Sequence, residues 1–121
     1  MKGDTVTALN GVTASSTSNA VGIGDYRQVS FQFIGASISS GNGVFSVQLS
    51  NDGTNWTTYN RLVSNATNTN SQTDTRVASV TVSANGASFA FKPTDDVAKY
   101  ARVIVVRTTD GAYSCVMALN Q

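Results

Sequence analysis

Residues 44–59 read VFSVQLSNDGTNWTTY: a strand, a tight turn and the start of a second strand. Phe45, Val47 and Leu49 alternate with Ser46, Gln48 and Ser50, the period-2 pattern of a strand with one buried and one wet face. Ser50-Asn51-Asp52-Gly53 supplies the turn, because Asn and Asp side chains bond nearby backbone and glycine accepts positive φ. Trp56 opens the return strand, expected over about residues 56–63.

Further strands follow on either side. Residues 27–34 place Val29, Phe31 and Phe33 on one face and Gln28, Ser30 and Gln32 on the other. Residues 77–83 put Ala78, Val80 and Val82 on one face. Asn85-Gly86 then carries a hairpin signal, and Phe89 and Phe91 are expected to point inward from a short strand. Pro93 ends that strand, since it has no N–H for a ladder. Residues 100–107, YARVIVVR, are apolar in both parities and read as a central strand covered on both sides or touching another subunit. Asp110-Gly111 is a second hairpin signal, and Tyr113, Cys115, Met117 and Leu119 face inward from the last strand. A short strand is expected within residues 19–23, and residues 1–10 form an extended arm or edge strand. The fold class is therefore all-β: one antiparallel β-sandwich or jelly roll of about eight short strands, with residues 1–121 as a single domain.

Composition agrees. Ser, Thr and Asn make up about a third of the 121 residues. Strong helix formers are scarce, and 40% hydrophobic content argues against disorder. A net charge of +1, with 12% charged residues, favours neither nucleic acid nor a membrane surface as partner. No apolar run approaches a spanning helix, and the first residues, MKGDTVTALNG, lack the apolar core of a secretory signal.

Chemistry is thinly represented. The chain has no His, no Glu and one Cys, so neither a zinc cluster nor a His-activated nucleophile is available. Calcium would have to use Asp52 with neighbouring carbonyls, or Asp95 with Asp96, and Asp52-Gly53 is already explained by its turn. No cofactor, metal site or enzymatic activity is expected. Two sequons, at Asn55 and Asn65, are what an Asn- and Thr-rich chain produces by chance. Trp56, the one tryptophan, reads as a core-edge residue closing the sandwich; with Tyr59 beside it, the alternative is a sugar-stacking platform. Residues 64–76 are almost wholly polar and too long for a hairpin, which suits a crossover between sheets or a contact loop.

The run from Val47 to Tyr59 resembles the V-x-x-S-x-D-G-x-x-W hairpin of discoidin-like and related jelly-roll modules. It is similar also to the hairpin of small β-sandwich proteins in tailed-bacteriophage virions. Ala98-Lys99-Tyr100-Ala101-Arg102-Val103-Ile104-Val105 resembles the A-R-Y-V-R-I strand that pairs with this hairpin in those modules. The chain lacks the paired cysteines and aromatic loop spikes of discoidin modules, so the virion proteins are the better match.

That resemblance implies a non-enzymatic virion structural protein, made in the host cytoplasm and acting as a capsid decoration or cement protein. Its expected partners are the major capsid protein and copies of itself, in a homo-oligomer such as a trimer. Expected contact residues are Asp4, Thr5 and Val6 in the arm and Asn65, Asn68, Asn70, Gln72 and Arg76 in the polar segment. The alternatives are a carbohydrate- or receptor-binding module of a fibre tip or adhesin, using Trp56 and Tyr59, and a tail or baseplate component.

Overall fold

Alternating patterns become twelve strands in the computed structural model, which describes residues 3–64 and 76–121. They are β1 (Gly3–Val12), β2 (Ser16–Thr17), β3 (Val21–Gly22), β4 (Gln28–Ala36), β5 (Asn42–Ser50), β6 (Thr57–Thr58), β7 (Leu62–Ser64), β8 (Arg76–Val77), β9 (Val80–Val82), β10 (Gly86–Lys92), β11 (Tyr100–Thr108) and β12 (Ala112–Asn120). Every pairing among them is antiparallel. The first sheet runs β1-β12-β4-β10-β7-β8. The second runs β2-β11-β5-β6, with β3 also on β11 and β9 also on β5. The two sheets form an all-β sandwich. The strand count exceeds the expected eight because six of the twelve are only two or three residues long.

The inner faces meet in an aromatic cluster. Phe33 of β4 stacks on Phe45 of β5 across the two sheets, ring centroids 4.6 Å apart. Phe31 lies 6.0 Å from Phe33, and Tyr113 meets Phe45 edge-on at 6.1 Å. Val29, Val47, Val103, Val105, Met117, Leu119 and Cys115 are among the residues that pack around this cluster. Their parity follows the alternation of β4, β5, β11 and β12. Backbone passes close beneath the cluster at Gly43, where a Cβ would lie 2.6 Å from the Tyr113 ring. The long pairing of β11 with β5, nine residues in register, joins the two runs that carried the resemblance.

Several local expectations are corrected. Phe89 and Phe91 point outward, 42% and 40% exposed, while Ala90 and Lys92 take the inner face. The cause is register: Phe91 pairs with Ser30 and Phe89 with Gln32, on the wet face of β4, and directly paired residues share a face. Small Ala90 sits opposite bulky Phe31, which leaves that ring its space in the core. Lys92 buries its stem, and its ammonium donates to the carbonyl oxygens of Pro93 (3.0 Å) and Asp96. Neither Asn85-Gly86 nor Asp110-Gly111 closes a hairpin; each links one sheet to the other, since β9 and β11 lie opposite β10 and β12. The return strand after Trp56 is split: β6 pairs with β5 for two residues, then the chain crosses to β7 in the first sheet. β11 is covered on one face only, with Val106 exposed on the other, and Ala78 is exposed rather than aligned with Val80 and Val82.

Truncating Phe45 to alanine is expected to cost about 3–5 kcal/mol, as for other buried aromatics, whereas Phe91→Ala should change stability by only about 0.5 kcal/mol. Urea unfolding of both variants checks this, and comparable losses would contradict the outward placement of Phe91.

Candidate functional site

The expected contact residues fall at opposite ends of one sheet. Asp4, Thr5 and Val6 lie in β1, the edge strand, paired with Leu119, Ala118 and Met117. Arg76 starts β8 at the far edge, opposite Val63. Asn65, Asn68, Asn70 and Gln72 lie outside the described residues. Strand register nevertheless connects the two ends. Thr5, Ala118, Ser30, Phe91, Val63 and Arg76 form a single row across six strands on the outer face. The next row is Thr7, Val116, Gln32 and Phe89. Arg76 is the one charged side chain in these rows.

A groove of about 630 Å³ crosses this face at the end where Pro93 stops β10. Phe91 and Pro93 form one wall and Thr5 the other, and Gln28, Ser30, Ala118 and Asn120 line it between them. Asn120 donates through Nδ2 to Gln28 Oε1 at 3.2 Å. Two charged residues, Asp4 and Lys92, also line the groove, and both have partners: the Tyr26 hydroxyl donates to the Asp4 carboxylate, and the Lys92 ammonium is held by carbonyls. The rest of the lining is an aromatic wall with neutral amides and hydroxyls. Sequence reasoning missed this groove because Phe91 was assigned to the core. No local signal places it outside: its orientation follows from pairing with the wet-face residue Ser30, which only the register of β10 on β4 sets.

Trp56 and Tyr59 do not form a platform together. Trp56 is half-buried, with the Arg102 guanidinium 4.4 Å from its ring centroid. Arg102 is fixed in turn by Gln48, Nε to Oε1 at 2.7 Å. Tyr59, three residues on, turns into the core as the chain crosses between sheets, and is 7% exposed. Its hydroxyl donates to the Asp96 carboxylate, which also accepts from Arg61 Nε at 2.9 Å. Burial and then this hydrogen bond push the Tyr59 hydroxyl well above its ordinary range.

Three aspartates serve as loop clamps. Asp52 accepts from the backbone N–H of Asn55 and of Thr54, both at 2.8 Å, and from Asn55 Nδ2 and Ser50 Oγ. Those bonds, the backbone pair foremost, hold its carboxyl far below the usual range. A carboxylate so occupied with N–H and O–H donors has little left for a calcium ion. Asp110 is lowered chiefly by the N–H groups of Ser40 and Ser39, with Gly41 adding a third bond. Asp96 is lowered by the Tyr59 hydroxyl first and Arg61 second. Burial pushes the Cys115 thiol up to about 12, as suits an inert core residue.

Comparison with known proteins adds one fold relative. The crystal structure of the SPBc2 prophage-derived protein YomS superposes with a TM-score of 0.71, covering 98% of this chain and 94% of that one, at 10% sequence identity. The two share a fold. No protein-family model and no curated protein sequence matches the chain.

The clamps set the acid response. A carboxylate lowered by folding contributes stability above its unfolded value and loses it as pH falls through the folded one. Melting temperature is expected to stay level down to about pH 4, near the unfolded value of 3.8, and then fall. Asp110→Asn and Asp52→Asn should each lower it at pH 7 and flatten the acid limb. An acid limb unchanged in both variants would rule the clamps out as its cause.

Proposed function

We propose that this chain is a non-enzymatic structural protein of a bacteriophage virion, most specifically a capsid decoration or cement protein. It would act by burying surface against the major capsid protein and against copies of itself. The observation that carries this reading is the broad, nearly uncharged outer face of the first sheet, with Phe89 and Phe91 exposed upon it. Six strands about 4.8 Å apart give a face of roughly 700 Å², close to the ~800 Å² each partner contributes to a stable interface. Phenylalanine, with the other aromatics, is enriched in interfaces relative to the rest of the surface. The fold shared with a prophage-derived protein supports a phage setting, and the aspartates spent on loop geometry support a structural role.

Reconstitution tests it. Purified protein is added to phage particles lacking it, and heat resistance of the particles is followed. Wild type should bind at saturating stoichiometry and raise heat resistance, and a Phe89→Ser/Phe91→Ser pair should weaken binding at least tenfold while leaving the free protein folded. Particles that neither bind the protein nor gain stability, or a location in the tail or baseplate, would overturn the decoration role.

The groove beside Phe91 favours a second reading, carbohydrate or receptor binding at a fibre tip or adhesin. Aromatic and amide groups of this kind suit a neutral sugar better than an ion. Neutral oligosaccharides titrated into labelled protein should then shift the NMR signals of Phe91, Gln28 and Asn120, and Phe91→Ala should abolish the shifts while Trp56→Ala spares them. Binding that depends on Trp56 instead would return the site to the second sheet.

A further inference from the structure

Among the described residues the sandwich has four sheet edges, and three of them are blunt. β8, at one edge of the first sheet, is two residues long. The second sheet is bounded by β2 and β3 on one side and by β6 and β9 on the other, none longer than three residues. Short edges give another chain little to pair with.

The fourth edge is β1, ten residues long and paired among the described residues only with β12. From Gly3 to Thr7 its register against Asn120 to Val116 is unbroken. Irregularities come only after Thr7, with Gly11 at φ 62°, and β1 also approaches β2 and β11 of the second sheet. Residues 3–7 contain no proline, no lysine and no bulge, and their one charge, Asp4, is held by the Tyr26 hydroxyl. They present a regular row of backbone N–H and C=O groups away from β12.

We propose that this edge pairs with the same edge of a second copy, antiparallel about a two-fold axis at Thr5, so that one continuous sheet runs through both chains. The stretch is self-complementary about its centre. Thr5 meets the partner's Thr5, Asp4 meets the partner's Val6, and Gly3 meets the partner's Thr7. Threonine pairs are favoured across strands, and no carboxylate opposes another. An axis at Asp4 would set two carboxylates face to face. Asp4 is the one charge in the stretch and is already held by Tyr26, so the edge carries no charge code with which to select a different chain, and a two-fold pairing needs none. Because the axis stands perpendicular to the sheet, both outer faces point the same way. The two grooves then adjoin across Thr5, which lines each of them.

This inference rests on the self-association in the proposed function and gives it a surface. It is read on the free protein, so its failure is distinguishable from failure of particle binding. Sedimentation of the wild type should give twice the 12.6 kDa chain mass. Thr5→Lys sets two ammonium groups together at the axis and should raise the dissociation constant at least tenfold. Thr5→Cys, mildly oxidised, should run as a covalent dimer on non-reducing gels, whereas Asp4→Cys, displaced from the axis, should not; native Cys115 is buried and does not compete. A wild-type monomer at millimolar concentration, a dimer indifferent to Thr5→Lys, or no cross-link through Thr5→Cys would each overturn the proposal. Should Thr5→Lys fail to fold, the cysteine pair decides.

Discussion

The Phe33–Phe45 contact is the constraint from which the rest of the sandwich follows. One ring comes from each sheet, and at 4.6 Å they fix both the spacing of the layers and which parity of each strand faces inward. Once Phe33 is inward, Cys115, paired with it on β12, is inward as well, and so are Tyr113 and Met117 to either side. Once Phe45 is inward, Val105 follows on β11. The same parity pushes Phe89 and Phe91 outward, because β10 must match β4 in register. The exposed aromatics are therefore a consequence of the core.

Loop geometry depends on a second kind of interaction, carboxylates clamping backbone N–H groups. Asp110 gathers residues 39–41 from a distant part of the chain, and Tyr113 donates to the Asp110 carbonyl oxygen at 2.8 Å. Asp52 and Ser50 organise residues 50–55 together, the carboxylate accepting from the N–H groups of Thr54 and Asn55 and the Ser50 hydroxyl oxygen from that of Gly53. Asp96 gathers Tyr59 and Arg61 where the chain crosses between sheets. Of the six acidic residues among the described residues, these three hold loops. The outer rows of the first sheet carry one charge, Arg76, and a face so poor in charge can be buried against a neighbour at small desolvation cost.

The exposed rows, the groove and the open edge lie on one side of the molecule. Thr5 belongs to all three: it heads the row that ends at Arg76, forms one wall of the groove and sits at the centre of the regular edge. A single sheet thus combines the features of an interaction surface, while the second sheet carries the Trp56–Arg102–Gln48 contact that ties its hairpin loop to β11 and β5.

Alternation in the sequence by itself determined the all-β class, the inner faces of β4, β5 and β12, the turn at Asp52-Gly53 and the end of β10 at Pro93. These are local properties: a side chain's parity along a strand and the stereochemistry of turn residues need no partner to be defined. Only the tertiary structure decided which strands share a sheet, and it turned two apparent hairpins into links between sheets. It decided also that Phe91 is outside and Tyr59 inside, against the hydrophobic reading of the first and the pairing of the second with Trp56. Each residue's neighbours across the ladder come from distant parts of the chain. A strand carrying apolar residues in both parities takes its orientation from the register of the strand beside it, which no local pattern encodes.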